Sequence, residues 1–393
     1  MQITIHRGIN QIGGCITEIA TRTTKIFIDL GHNLPKGEQP EEDDKANYET
    51  IAELTKGVQA IFYTHYHGDH VDLFKFVPNS VQQYIGETAK KIMQIKYERL
   101  AKSPRFKKEV TLELLQKLNS FQTFTANKRI VVGNIAVTPY YVSHSACDAY
   151  MFLIEETNGL CKRILHTGDF RGHGYTSKGL IPTLKSYILK KPIDVLITEG
   201  TMLSRPDEQP MREQDLQKKA MELMKQYKYV FVLCSSTDME RLASFHAASK
   251  QAKRSFLCDN YQEDVLKVFS SIAKSPLFQF DNVHFYKHGK QSQFSLIEKT
   301  GFCMLIRGKT THSRYPYTEN ALQDLLQQLP QEQTLLIYSY WDGYLKSENI
   351  IPDFAEVWDM FSNKQQLHTS GHASAECLAE VCQLVNPTTA IIP

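Results

Sequence analysis

Three histidines and one aspartate fall within six residues in His65-Tyr66-His67-Gly68-Asp69-His70. Imidazole and carboxylate are the ligands of hydrolytic zinc, and manganese accepts the same set. In the His65-x-His67 pair, alternate residues can present two imidazoles to one ion. Asp69 and His70 are then placed to reach a second ion a few ångströms away. Two metals roughly 3.5–4 Å apart can activate a water between them and clamp the oxygens of a phosphoryl or acyl displacement. A lone histidine is usually a core or surface residue; this concentration of ligand types marks a metal loop.

A loop cannot place its own ligands, so strands must hold it and bring it partners. Residues 58–63 are apolar except for Gln59, as in a buried strand. The same arrangement recurs along the first 200 residues. Strand 25–30 carries Asp29, a candidate hydrogen-bond partner for a ligating histidine. Strand 134–141 leads to His144, which could complete the first metal set. Strand 163–166 runs into Thr167-Gly168-Asp169, whose carboxylate could bridge the two ions. Strand 193–198 ends at Glu199. A series of ionisable residues at strand ends predicts convergence on one sheet edge. His32 and His173 lack that support and read as loop or surface histidines.

The rest of the chain supplies the scaffold. Residues 2–6 and 15–20 read as strands, 35–50 as an acidic surface loop, 48–56 as a short helix, and 88–118 as a helical region broken near Ser103-Pro104. From residue 205 helices and strands alternate: helices 213–227, 239–250, 262–272 and 318–329, strands 229–234, 255–258, 302–307 and 334–338. That alternation predicts a parallel sheet with helices on its faces. It reads as a second α/β domain, 204–347, inserted into a first one made of 1–203 and 348–393. The last part holds His368, Ser370-Gly371-His372-Ala373, a helix over 375–384 and a strand over 389–392.

Bulk composition excludes little. At 42% hydrophobic and 22% charged the chain is an ordinary globular one. Its longest apolar run, 229–234, is too short to cross a bilayer, and its start lacks a basic-then-apolar signal pattern, which predicts a cytoplasmic protein. The eight cysteines form no C-x-x-C pair, so a cysteine zinc knuckle is not expected, and a cytoplasmic setting would keep them reduced. A net charge of +2 gives no global sign of a polyanion partner.

With these motifs in place, the sequence resembles the metallo-β-lactamase fold superfamily, in its β-CASP branch of nucleases, which includes ribonuclease J and the cleavage-and-polyadenylation nucleases. The resemblance covers essentially the whole chain. Residues 8–15 are similar to the family's opening turn. Asp29 matches its first motif, His65, His67, Asp69 and His70 the second, His144 with Ser145 and Asp148 the third, and Asp169 the fourth. Glu199 and Ser370-Gly371-His372-Ala373 resemble the first two β-CASP motifs. A third, a histidine after a strand like 389–392, would fall past Pro393; within the chain His368 is the remaining candidate ligand.

The resemblance implies an α/β fold, an αββα metallo-β-lactamase sandwich with an inserted parallel β-CASP domain. It implies two zinc ions, or manganese, held by His65, His67, Asp69, His70, His144 and Asp169. Single-stranded RNA would lie in the interdomain cleft and be cut, in endo or 5′-to-3′ exo mode, by a hydroxide activated between the metals. Asp69 would orient or deprotonate that water. His372, held by Glu199, would serve the leaving oxygen. Amides around Gly371 and Ala373, with Ser370, Ser235 and Ser236, would cradle phosphate. The alternatives are a metallo-hydrolase of a small ester, thioester or lactone, and a non-catalytic RNA-processing subunit.

Overall fold

The computed structural model describes residues 1–34, 44–102, 107–158, 162–286, 295, 298–307, 319–346 and 349–393. The expected loop over 35–50 lies largely outside that set, and its described end is helical from Asp44. Eighteen strands among the described residues form three six-stranded sheets. The first runs β1 (Gln2–Arg7), β2 (Ile16–Ala20), β3 (Lys25–Ile28), β4 (Ala60–Phe62), β5 (Gln82–Gly86), β6 (Gln122–Phe124), in spatial order as in sequence. β1 to β3 are antiparallel, and β3 to β6 are parallel.

The second sheet contains β7 (Ile130–Val132), β8 (Ile135–Val142), β9 (Ala149–Glu156), β10 (Arg163–His166) and β11 (Val195–Ile197). The third contains β12 (Tyr229–Leu233), β13 (Ser255–Cys258), β14 (Val283–Phe285), β15 (Phe302–Ile306), β16 (Thr334–Tyr338) and β17 (Lys364–Gln366), in the order β14-β13-β15-β12-β16-β17. Every pair in it is parallel, as the alternation of helices and strands predicts. β18 (Ala390–Ile392) returns to the edge of the second sheet beside β11.

Side-chain alternation along these strands explains the layers. Ile26, Ile28 and Phe62 of the first sheet meet Val137, Phe152 and Ile164 of the second in one buried cluster. Their strand neighbours Phe27 and Ile61 point the other way, onto Ile92 and Met93 of the helix Glu87–Ala101. Leu165 and Leu196 likewise face Leu184 and the helix Ala375–Val385. The order is helix, sheet, sheet, helix. Each buried Phe, Leu or Ile is worth roughly 1.5–3 kcal/mol over exposure. No helix among the described residues is long and apolar enough to cross a membrane, and every described cysteine is free.

The expected return to the first domain at residue 348 is too early. The helix Pro352–Asp359 puts Val357 into the third sheet's core, Phe361 packs on Phe231 at 5.2 Å, and β17 pairs with β16. The chain leaves that sheet only after Leu367. β17 is Lys-Gln-Gln, an exposed edge with no apolar signal, so its pairing was invisible in the sequence.

A buried ion cluster joins the third sheet to the other two. Arg171, two residues past Asp169, is 0% exposed and meets Glu213 at 3.2 Å, Asp238 at 3.1 Å and Glu240 at 3.1 Å. Arg241 also meets Glu213, at 3.0 Å. Burial works to raise the Asp238 carboxyl, but Arg171 and Arg241 hold it below its ordinary range. Its contribution to stability is therefore present above the unfolded carboxylate pKa, near 3.9, and lost as pH falls through the lower folded value.

Replacing Arg171 by Met removes the cation and keeps much of the volume. We expect a loss of about 3–5 kcal/mol in urea unfolding, the range seen when one partner of a buried pair is removed. Asp238 then keeps Arg241 alone against its burial, which moves its carboxyl up, so the loss should be larger at pH 8 than at pH 5.

Candidate metal centre

The strand ends converge as expected. β3 and β4 are parallel, so Asp29 and Thr64-His65 leave the first sheet at one edge. In the second sheet β8 and β10 are both antiparallel to β9, and β10 is parallel to β11, so His144, Asp169 and Glu199 leave on a common side. The carbonyl of Asp69 accepts from Cys15 N at 3.0 Å, and its loop passes so close to Gly31 that a Cβ there would lie 1.6 Å from Asp69 O.

Three groups of side chains place ligand atoms within 4.8 Å of one another: His65, His67 and His144; His65, His70 and Asp169; His144, Asp169 and His372. His67 Nδ1 is 3.2 Å from His144 Nε2, and His70 Nε2 is 3.2 Å from Asp169 Oδ2. Asp69 Oδ2 stands 3.8 Å from His70 Nε2 and enters none of the three groups. His372, expected only beside a leaving group, enters one.

Hydrogen bonds on the far side of the rings fix which nitrogen faces the centre. Asp29 sits at the end of β3 in the left-handed region, φ 59°. Its Oδ1 accepts Thr64 N at 2.7 Å; its Oδ2 accepts the Thr64 hydroxyl at 2.7 Å and His70 Nδ1–H at 2.8 Å. With its proton given to Asp29, the Thr64 oxygen accepts from His65 Nδ1–H at 3.0 Å. His65 Nε2 is thereby left a bare lone pair, fully buried and without a partner. His144 Nδ1–H donates to Gly371 O at 2.7 Å. Gly371 must be glycine, because a Cβ would lie 2.4 Å from Ser145 Oγ.

The charges suit a cation. Burial pushes His65, His67 and His144 below the ordinary histidine range, leaving neutral imidazoles, the ligating form. Burial alone would also lower His70, but Asp169, Cys15, Asp69 and Asp29 reverse it and raise the ring well above its usual value. That field favours positive charge at the point where His70 and Asp169 meet. An orphaned ring nitrogen, neutral imidazoles and converging carboxylates fit zinc or manganese.

Beside this centre, His372 Nδ1–H donates to Glu199 Oε2 at 3.0 Å and lies 3.6 Å from Asp169. Burial opposes its charge, but Glu199 and Asp169 raise it to about 9. Glu199 is itself fixed, its Oε1 accepting Phe170 N at 2.7 Å and Ala373 N at 3.4 Å.

Several expected roles change. The Ala373 amide is committed to Glu199 and cannot cradle a phosphate. The Ser370 hydroxyl accepts His372 N at 3.0 Å, which builds the local turn, and Ser374 caps the helix Ala375–Val385. Gly371 serves through its carbonyl. Ser235 and Ser236 are half-buried past β12; Ser235 contacts Thr237, and the Ser236 carbonyl accepts from Gln262. His368 enters none of the three groups found among the described residues: its Nδ1 faces Ser339 O at 3.1 Å and Arg241 at 3.3 Å. His173 is not a surface residue. It is buried and its Nε2–H donates to Ser370 O at 2.7 Å. His32 is half-buried, with Nδ1 3.0 Å from Asn33 O. Asp148 accepts the Thr88 and Ala89 amides at 2.8 and 3.0 Å, capping a helix of the outer layer. Arg171, Arg241 and buried His166 were missed; the strand before His166 was the available signal.

A cavity of about 400 Å³ opens next to Asp69, His70, Asp169 and His372. No family model matches the sequence. Among solved structures the chain is similar to a protein of unknown function from Enterococcus faecalis V583, with TM-score 0.70 and 20% identity over 99% of this chain and 93% of that one. At that identity the likeness shows a shared α/β fold.

Asp29→Asn keeps the shape but weakens the acceptor that serves both Thr64 and His70. Zinc affinity should fall about 10–100-fold, read by competition with a chromogenic chelator.

Proposed function

We propose that the protein is a metal-dependent hydrolase of the metallo-β-lactamase fold with a β-CASP insertion, acting on phosphodiester bonds of single-stranded RNA with two zinc ions, or manganese. The observation that carries this reading is the Glu199–His372 pair, 3.0 Å apart and set against Asp169 of the buried His/Asp cluster. The helix-sheet-sheet-helix layering and the parallel sheet between residues 229 and 366 support the fold assignment.

His65, His67 and His144 would hold one ion, and His70, Asp169 and Asp69 the other. When bound, the metals would supply Lewis acidity at a phosphoryl oxygen and lower the pKa of water. The chain does the rest. Asp29 and Gly371 keep the imidazoles aimed. Asp69, with an 18% exposed side chain, keeps a carboxylate where water can reach it. Glu199 accepts the hydrogen bond of His372 Nδ1–H and so holds the ring with Nε2 available to a leaving oxygen.

A second reading is favoured by the cavity wall. Away from His70 and His372, Arg7 is the one Lys or Arg side chain among the described residues that line it, while Ile9, Ile12 and Leu203 give it an apolar rim. Such a wall suits a small ester, thioester or lactone better than a polyanion.

Zinc- or manganese-loaded protein should degrade single-stranded RNA, and His67→Ala should abolish the activity. Intact RNA with wild-type protein, together with turnover of a lactone, would establish the second reading instead. His372→Ala should lower kcat about 10²–10⁴-fold, the range for a lost general acid, with metal content unchanged. Loss of one metal in that variant would instead make His372 a ligand.

A further inference from the structure

Three of the four loop and strand-end imidazoles are oriented by a hydrogen bond on the nitrogen facing away from the centre: His65 by Thr64, His70 by Asp29, His144 by Gly371. His67 is the exception. Its Nδ1 faces His144, and among the described residues no hydrogen bond holds its other nitrogen. Something else must fix this ring if it is to ligate.

Tyr66 is placed to do so. Its ring packs edge-on against His67, centroids 5.8 Å apart and planes at 89°. Its side chain is buried, and its hydroxyl makes two hydrogen bonds. It donates to Thr237 O at 2.8 Å and accepts from Cys147 N at 2.8 Å. Cys147 is three residues past His144. Thr237 lies in the loop after β12, in the inserted domain. One phenol thus ties the metal loop to the loop carrying His144 and to the first strand end of the other domain.

We infer that Tyr66 is a positioning residue for His67, and that the inserted domain thereby sets the geometry of the first metal set. Both hydroxyl partners are backbone atoms, so the contact needs a tyrosine at 66 and no particular side chain at 147 or 237. Phenylalanine would keep the ring and lose both anchors. The ring would then lean on His67 from an unfixed position.

The inference rests on the metal-centre reading and not on the substrate. The test is cobalt(II) titration of metal-free protein with chelator competition, followed by visible absorption. Wild type should show two sites. In Tyr66→Phe one dissociation constant should rise about 10–100-fold, as for other lost supports of a ligand, with a changed d–d spectrum, and the other should stay. Phe231→Leu, a core change in the third sheet, controls for lost stability alone. It should lower Tm and leave both constants and the spectrum as in wild type. The inference fails if Tyr66→Phe leaves spectrum and constants unchanged, if Phe231→Leu loosens cobalt equally, or if wild type binds no cobalt. Failure to cleave RNA while cobalt behaves as expected would remove the substrate assignment and leave Tyr66 in its role.

Discussion

One buried guanidinium holds the molecule together. Arg171 has no exposed surface, so its charge is tolerable only because three carboxylates surround it. All three belong to the inserted domain. Its backbone is committed to the other side: Arg171 N donates to Ser143 O at 2.7 Å, beside His144. Asp169 is two residues earlier. The residue that locks the two domains therefore also fixes the loops carrying two expected metal ligands. A salt bridge this deep adds little net stability over a well-packed apolar core. Its effect is specificity, since only one docking of the domains leaves no unpaired charge.

The centre repeats that logic on a smaller scale. Asp29 distributes hydrogen bonds to Thr64 and His70, and through Thr64 to His65. A single carboxylate thereby selects the tautomer of two rings. Its positive φ turns the chain sharply out of β3, a conformation that Asp tolerates better than most residues.

The contrast between what the sequence disclosed and what it hid follows from the type of signal. The candidate metal centre was legible because His65, His67, Asp69 and His70 are close in sequence, and because His144, Asp169 and Glu199 each follow an apolar strand. The parallel sheet was legible for the same reason: β12, β15 and β16 are continuous apolar runs. β5, Gln-Gln-Tyr-Ile-Gly, and β17, Lys-Gln-Gln, are strands only because a neighbour pairs with them, and no periodicity marks that. His173, Arg171 and Arg241 were hidden for a related reason. A polar residue buried by a partner far along the chain looks the same in sequence as one facing water. The phosphate cradle failed at Ala373 because amides opening a helix are only candidates until their acceptors are known, and Glu199 had already taken this one.

Those hidden residues account for how His372 is placed. Three consecutive carbonyls precede it, and each accepts from a different part of the fold. Thr369 O takes Arg241 Nη2–H at 2.8 Å, Ser370 O takes His173 Nε2–H at 2.7 Å, and Gly371 O takes His144 Nδ1–H at 2.7 Å. The first donor is in the inserted domain, the second follows the Arg171 loop, and the third is a candidate metal ligand. A loop held at three successive carbonyls has little freedom to move alone. His372 can shift relative to the centre only if the domains shift with it. An inserted domain that merely roofed a cleft would not need to reach this loop; Arg241 does reach it, and so makes the domain part of the centre's own support.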